Sequence, residues 1–593
     1  MRGGQRWTLV RAGRTSWRAL VVLGGVVVAV VLGAGMLGQL AGTVDARSAV
    51  GQLWSQHKEQ LGSPRGSESC GDGICAQRFQ RGRIFWSEQT GAHIVRDDAI
   101  GQRFHGLGAV AVMGLPVDEA REAGPGRLQE FQRGGIFARD GADEVVVQDR
   151  MWFAWLRTRA SGEDMGFPVA SEEIEESGAR VQRFERGAIY VRHGTALAVR
   201  DEIAVALEAD GGTAGPLGYP LAEERTSGDG RVQRFEGGAV WWSPATGAVP
   251  VHQDLLPAYA ARRAEKGELG FPTAVPSMVP GGTRQTFEHG TLYRAEADGS
   301  VRQTSGEIQA RYEELGGAGG ELGLPTGERT ALGEGTYQTF TGGVVMSSAR
   351  AGTWAVGRAA FDAFVAVPSR FGWPTANWRK DERGVHTAFE RVETIERDGV
   401  LYSAEPVDSS TAVLICDSQC DGNSWVEQGV AANGFGTVVE RAFGGGGYAA
   451  ASGRLGMSVT EGIASHRVLL PEGDPGLVVI TLGGNDASQR RSDAEILDGM
   501  RRTVEMVRQA YPDTRIVIDG VMSRRDPGHA RRRAVEALIL DEARRLGLVA
   551  VPVAGWITDY GAPQGDDVHL TQAGHDRVAG PYAEALRSAL AGH

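Results

Sequence analysis

Lysine is nearly missing from this 593-residue chain: of 62 basic residues, only Lys58, Lys266 and Lys380 are not arginine. Clustered basic side chains are missing too, and the formal net charge is −12 with a sequence pI near 5.6. A face that neutralises nucleic-acid phosphates needs such clusters, so no nucleic-acid partner is expected. Cysteine is scarce, at four residues in two close pairs, Cys70 with Cys75 and Cys416 with Cys420. The pairs lie far apart and lack the spacing of a zinc cluster, so no metal site is expected. They fit an oxidising compartment. Of the connectivities open to four cysteines the two local pairings are expected, because a turn brings such near neighbours within disulfide reach.

Charge is absent from residues 19–44, whereas Arg2, Arg6, Arg11, Arg14 and Arg18 precede that stretch with no acid among them. A membrane-crossing helix needs about 20 apolar residues, and this run exceeds that. It predicts a transmembrane anchor, with the basic segment 1–18 in the cytoplasm and everything later outside. The expected location is therefore the cell membrane, single-pass, with the C-terminal part extracytoplasmic. A signal peptide cut near Val44-Asp45-Ala46, giving a secreted protein, is the alternative. At this length one core does not suffice, and a multidomain chain is expected.

Glycine is plentiful, at 86 residues, and part of it is periodic. A tetrapeptide recurs as Leu61-Gly-Ser-Pro64, Met113-Gly-Leu-Pro116, Met165-Gly-Phe-Pro168, Leu217-Gly-Tyr-Pro220, Leu269-Gly-Phe-Pro272, Leu322-Gly-Leu-Pro325 and Phe371-Gly-Trp-Pro374. Successive starts differ by 52, 52, 52, 52, 53 and 49 residues, the mark of a repeat architecture. A hairpin signature follows each tetrapeptide, as in Val181-Gln-Arg-Phe184 with Gly187, Ile189 and Tyr190. Short amphipathic stretches such as 201–207 and 306–315 lie between units. One unit thus reads as helix, rigid Gly-Pro turn and β-hairpin, and such units must stack to bury their apolar faces. Closure into a propeller-like ring would protect the sheet edges; an open superhelix is the other possibility. Phe167, Phe271 and Trp373 read as packing residues between units. The tetrapeptide and its period resemble the LGFP repeat. The resemblance covers residues 48–405 in seven units and implies a cell-envelope protein of mycolate-producing actinobacteria, with wall polysaccharide as partner.

From residue 411 the pattern changes to apolar runs at 412–415, 437–439, 477–482, 515–518 and 548–553. Helical stretches lie between and after them at 425–432, 493–510, 530–546 and 572–590. Alternating strands and helices predict a parallel sheet covered on both faces, with ligands at the carboxyl ends of the strands. Ser418 and Asn485 each follow such an end. Ser418 is the expected nucleophile, His569 its base, and Asp566, three residues earlier, the group that fixes the imidazole. Asp567 and His575 are nearby decoys. With these residues in view, 411–593 resembles the SGNH (GDSL-type) hydrolases, which implies a flavodoxin-like α/β sandwich. The first block is Asp417-Ser418, the third Gly483-Gly-Asn485-Asp486, the last Asp566-x-x-His569. The glycine block falls in Gly444–Gly447, with Gly445 and Gly446 as the donors to join the Ser418 N–H and the Asn485 amide in an oxyanion hole. Cys416 stands where that family's first block has glycine, and a Cys416–Cys420 bridge would lock the turn.

The expectation is an extracytoplasmic serine esterase that needs no metal or cofactor. Its substrate would be an acyl or acetyl ester of an envelope glycan or lipid, and the repeats would hold it at the wall. The alternatives are a glycan-binding protein with a decayed hydrolase domain, or transfer of the acyl group to a sugar.

Overall fold

The computed structural model describes residues 42–592. The chain divides into two compact units, one built on Met1–Phe153 and Gly166–Glu172, the other on Ala154–Met165 and Glu173–His593.

The first unit opens with the helix Ala49–Leu61, whose N-terminus is closed by the Ser48 side chain accepting from the Gly51 N–H at 3.0 Å. It then lays down two antiparallel sheets of four strands each, over residues 69–96 and 121–148. Val50 and Leu61 of the helix share a core with Phe79, Ile84 and Ile94 of the first sheet. The second unit continues with sheets over 173–200, 225–252, 277–304, 330–356 and 379–407.

Each repeat therefore carries a four-stranded antiparallel sheet, which corrects the expected helix-plus-hairpin unit. The predicted hairpin is its central pair: Gly230–Phe235 and Gly238–Ser243 pair with Gln233 opposite Val240. Two strands that sequence periodicity misses flank it. Arg225–Ser227 is three residues long and mostly exposed, and Gly247–His252 contains Pro250, a residue that argues against a strand.

The tetrapeptide has a physical logic, seen at Leu269-Gly-Phe-Pro272. Leu269 is fully buried. Gly270 sits at φ +70°, and a Cβ there would lie 2.4 Å from Glu288 Oε2. Glycine is what lets that carboxylate close on the turn and accept from the Phe271 N–H at 2.8 Å. Phe271 packs with Tyr259 and Phe287, and Pro272 bridges to Phe287. The residue two before that phenylalanine links neighbouring units. Buried Gln285 donates its amide to Pro250 O of the preceding sheet at 2.7 Å and to Ala274 O at 3.0 Å. Gln233 and Gln338 repeat the device on Ala198 O and Gln303 O.

The single-pass membrane placement is also corrected. Among the described residues no helix is long and apolar enough to cross a membrane. The expected span 19–44 lies outside the described residues except for Gly42, Thr43 and Val44, which are irregular.

The last 180-odd residues form the predicted α/β layer structure. Its strands are β1 (Thr411–Cys416), β2 (Thr437–Ala442), β3 (Leu477–Thr481), β4 (Arg515–Asp519) and β5 (Val549–Val551). All pair in parallel, in the order β2-β1-β3-β4-β5, which is the flavodoxin-like order. Side chains of β1 alternate between two buried cores: Val413 and Ile415 face one, Ala412, Leu414 and Cys416 the other. Burial on both faces is why the strand reads as an unbroken apolar run. The helix Asp493–Ala510, started by a Ser492/Glu495 capping box, covers the first core through Ile496, Met500, Val504 and Val507. The helix Gln572–Ala591 covers the second through Val578, Tyr582 and Leu586.

One connection joins this domain to the last repeat. The strand Leu470–Gly473 adds itself in parallel to Val400–Val407, making that sheet five-stranded, with a register shift between Ser403 and Pro406. Around the seam, Tyr402 Oη donates to Ala510 O at 3.0 Å and Tyr511 Oη to Pro471 O at 2.6 Å. Arg383 and Arg397 both pair with the buried Glu472, at 3.3 and 3.2 Å.

Candidate active site

In the order β2-β1-β3 the chain direction of the sheet's growth reverses between β1 and β3, which opens a crevice beyond their carboxyl ends. Ser418 leaves β1 there on a short 3₁₀ turn, Ser418–Cys420. Asp417 starts that turn by accepting from the Gln419 N–H at 3.0 Å. Gln419 in turn donates its side-chain amide to Val568 O at 3.1 Å, tying the turn to the loop that carries His569.

Ser418 Oγ lies 2.8 Å from His569 Nε2, and His569 Nδ1 lies 2.7 Å from Asp566 Oδ2. Three of the predicted residues thus form one line of hydrogen bonds across 151 residues of sequence. The Asp566 carboxylate is fixed further by its Oδ1, which accepts from the Val568 and His569 N–H groups at 2.8 and 2.7 Å. The imidazole bond, followed by these two N–H bonds, holds the Asp566 carboxyl well below the usual carboxylate range. An acid kept ionised beside Nδ1 leaves Nε2 as the nitrogen that takes a proton from Ser418.

Asn485 sits in the helix Gly484–Ser488 that follows β3. Its amide nitrogen donates to Asp417 Oδ2 and to Gly446 O, both at 3.0 Å. It therefore spans the nucleophile turn and the glycine loop. In that loop Gly444 is nearest the serine, a Cβ built on it falling 3.8 Å from Ser418 Cβ. The Gly446 N–H is engaged by Phe443 O at 2.9 Å.

Two acids that sequence reasoning left without a role are central to this construction. Asp417 is fully buried, and desolvation pushes its carboxyl up to about 6 against the opposing Gln419 N–H and the Arg532 charge. Asp486 has 0% exposure and clasps the far end of the glycine loop. Its Oδ2 accepts from Tyr448 N at 2.9 Å, its Oδ1 from Ala449 N and Ala450 N at 2.7 and 2.8 Å. A Cβ at Gly447 would lie 2.1 Å from Asp486 Oδ2, so this glycine makes room for the clasp. The only signal in the sequence was an acid directly after Asn485 in the first turn of a helix.

The decoys are occupied elsewhere. Asp567 pairs with Arg524. His575 Nδ1 accepts from the Trp425 N–H at 3.3 Å, and burial lowers its basicity. Cys70 lies bonded to Cys75 and Cys416 to Cys420.

Several solved structures are similar to part of this chain. A family two carbohydrate esterase from Clostridium thermocellum, solved as an active site mutant, is 18% identical over 32% of this chain and 66% of its own, with a TM-score of 0.26. A carbohydrate esterase family 3 protein from Talaromyces cellulolyticus is 17% identical over 31% and 99%, with a TM-score of 0.25. Est24, a carbohydrate acetylesterase from Sinorhizobium meliloti, is 17% identical over 30% and 98%, with a TM-score of 0.24. No curated protein matches the chain. The LGFP repeat matches five segments, 61–111, 165–215, 217–267, 269–320 and 322–367. The stretch 408–577, which holds Ser418, Asn485, Asp566 and His569, matches the GDSL-like Lipase/Acylhydrolase family.

Proposed function

We propose that the C-terminal domain is a serine esterase acting outside the cytoplasm on an acyl or acetyl ester of a cell-envelope glycan or lipid. The observation that carries the reading is the continuous line from Ser418 Oγ through His569 to Asp566, at 2.8 and 2.7 Å. Ser418 Oγ attacks the ester carbonyl while His569 Nε2 takes its proton. Charge building on the carbonyl oxygen is met by the Ser418 N–H, a glycine N–H of residues 444–445 and the Asn485 amide, which keeps its bond to Asp417 Oδ2 and shares its other N–H between Gly446 O and the oxyanion. The C–O bond of the ester then breaks, and His569 returns the proton to the departing alcohol. Water, deprotonated by the same imidazole, releases the acid from Ser418. Asp566 stabilises the imidazolium at both stages.

The two disulfides support an oxidising location. The repeats are the proposed attachment to wall polysaccharide, on their likeness to LGFP units. The sheets at 121–148 and 379–407, outside the five matched segments, follow tetrapeptides of their own at 113 and 371, which supports reading them as two further units. The test is hydrolysis of p-nitrophenyl acetate by the full chain. Ser418→Ala and His569→Ala each lower kcat by about 1000-fold or more if the line is catalytic. Equal rates for wild type and Ser418→Ala would leave a binding protein without esterase chemistry.

A further inference from the structure

A cavity of about 10 Å³, room for a single water, borders the nucleophile turn. Asp417 and Gln419, the residues on either side of Ser418, form part of its wall, with Trp425, Thr481, Gly484 and Met522. The wall holds two ionisable side chains, one acid and one base: Asp417 and Arg532. They are 3% and 7% exposed, so water screens neither of them well.

Arg532 stands in the first turn of the helix Ala530–Arg545 and ties together two of the strand ends that build the site. Its Nε donates to Met522 O at 3.1 Å, just beyond β4. Its Nη1 donates to Gly484 O at 3.2 Å, just beyond β3 and next to Asn485. A Cβ built on Gly484 would fall 2.8 Å from Nη2, so the second glycine of Gly483-Gly484-Asn485 makes room for this guanidinium. Burial works against the cation, and the charges of Asp417 and then Asp567 favour it.

Asp417 uses both carboxylate oxygens. Oδ1 accepts from the Gln419 N–H and Oδ2 from the Asn485 amide, each at 3.0 Å. A proton on either oxygen would set a donor against one of those N–H groups, so the ionised form is the one that holds the turn and Asn485 together. Burial opposes that form. The Gln419 N–H, then Arg532, then His569 favour it, while the charge of Asp486 adds to the opposition. Of the two cationic partners, His569 changes charge within each turnover, whereas a guanidinium stays charged throughout.

We propose that Arg532 is a positioning residue of the esterase, the constant counter-charge that acts across this cavity on Asp417 and through it on Ser418 and Asn485. The catalytic consequence rests on the esterase reading; the coupling of the two charges is read from stability alone.

The experiment sets Arg532→Met, which removes the charge, and Arg532→Lys, which keeps it, beside the wild-type full chain. The first readout is kcat on p-nitrophenyl acetate from pH 5 to pH 9. In Arg532→Met the acid limb moves up by about one pH unit or more, as for a carboxyl that loses a nearby opposite charge. At pH 9, where Asp417 ionises without help, kcat returns to within about fivefold of wild type. Arg532→Lys leaves the limb in place. A loss that is uniform across pH in Arg532→Met, or a limb displaced equally in Arg532→Lys, overturns the proposal.

Urea denaturation of the same proteins reads the coupling without an ester. Burial pushes the Asp417 carboxyl up to about 6, above the ordinary carboxylate range, so stability falls as pH rises through that value. A further rise of about one pH unit in Arg532→Met makes its unfolding constant, relative to wild type, about tenfold larger at pH 8 than at pH 5. The same ratio for Arg532→Lys does not change with pH. These ratios decide the proposal even where Ser418→Ala shows that no ester is cleaved. A ratio constant with pH in Arg532→Met refutes it; should that variant not fold, a pH-dependent ratio in Arg532→Lys refutes it.

Discussion

Asp486→Asn is the substitution that most directly asks whether the glycine loop is held for catalysis. The carboxylate receives three backbone N–H groups, two on Oδ1 and one on Oδ2. An asparagine can keep its oxygen toward Ala449 and Ala450, but its NH₂ then faces the Tyr448 N–H, donor against donor. The variant loses one charge-assisted bond, about 1.5–3 kcal/mol, and strands a buried donor at about 1–3 kcal/mol. The site cannot relax by admitting water easily, since Asp486 and Tyr448 are 0% and 1% exposed. The strain is therefore relieved by movement of residues 444–450. That loop carries the proposed oxyanion donor and the Gly446 carbonyl that holds Asn485. A displacement of about 1 Å at such a site costs on the order of 100-fold in rate. The assay is kcat and KM on p-nitrophenyl acetate beside urea denaturation of the same samples. The expected outcome is a kcat lowered about 30- to 100-fold with KM nearly constant, because the loop acts on the transition state and not on ground-state binding. A variant that is destabilised yet keeps kcat within about twofold would refute the positioning role and leave Asp486 a purely structural residue.

Other perturbations test the fold and its electrostatics. Asp519, fully buried against Thr481 Oγ1 at 2.7 Å and Tyr582 Oη at 3.0 Å, has its carboxyl pushed up to about 7 by burial. A raised folded-state value means its stabilising share is complete below the ordinary carboxylate range and is lost as pH rises through about 7. Asp519→Asn should flatten the fall in stability between pH 5 and pH 8 seen by urea denaturation of wild type; parallel curves would contradict this. Gln285→Leu removes the bonds to Pro250 O and Ala274 O and should destabilise the repeats by about 1–3 kcal/mol. An unchanged melting temperature would show that the inter-unit glutamine contributes nothing. Cys416 and Cys420 are both 0% exposed, so a reductant does not reach them in the native state. The paired Cys416→Ala and Cys420→Ala variant should lose several-fold in kcat if the bridge steadies the nucleophile turn, and full activity would remove that role.

What was legible in the sequence follows burial. Strands β1, β3 and β4 of the parallel sheet are covered on both faces, so each writes an apolar run, and the limits of all five strands fall within a few residues of the structure. The outer strands of the repeats write nothing, because a three-residue strand such as Arg225–Ser227 is too short and too exposed to show a period of two. A glutamine two before a phenylalanine, Gln285 among them, was visible in six units, with Thr387 in that place before Phe389, yet a polar residue in a hairpin reads as solvent-facing. Its burial is decided by a carbonyl of the preceding unit, which lies 35 residues away. The same holds at the site. Ser418, Asn485 and His569 stand in short motifs at strand ends, whereas the pairing of Leu470–Gly473 with the last strand of a repeat has no local motif to announce it.

The departure at position 416 illustrates how far a motif can vary before geometry suffers. Cys416 ends β1 pointing into the core beneath the helix Gln572–Ala591, where Cys420 and Trp425 also lie. A side chain there meets that core and not the crevice. Asp417 still caps the turn through Gln419, and Ser418 Oγ still lies 2.8 Å from the imidazole. Cys416 stands where the first block of the resembled family has glycine. The replacement is accommodated on the far side of the strand, and the groups that would perform the chemistry stand in the same relation to one another. Here the buried Asp417, the three-fold clasp of Asp486 and the braced Asp566 are all in place. Each costs stability or restricts the sequence, and each braces the turn or loop that carries Ser418, Asn485 or His569, the geometry on which the proposed esterase rests.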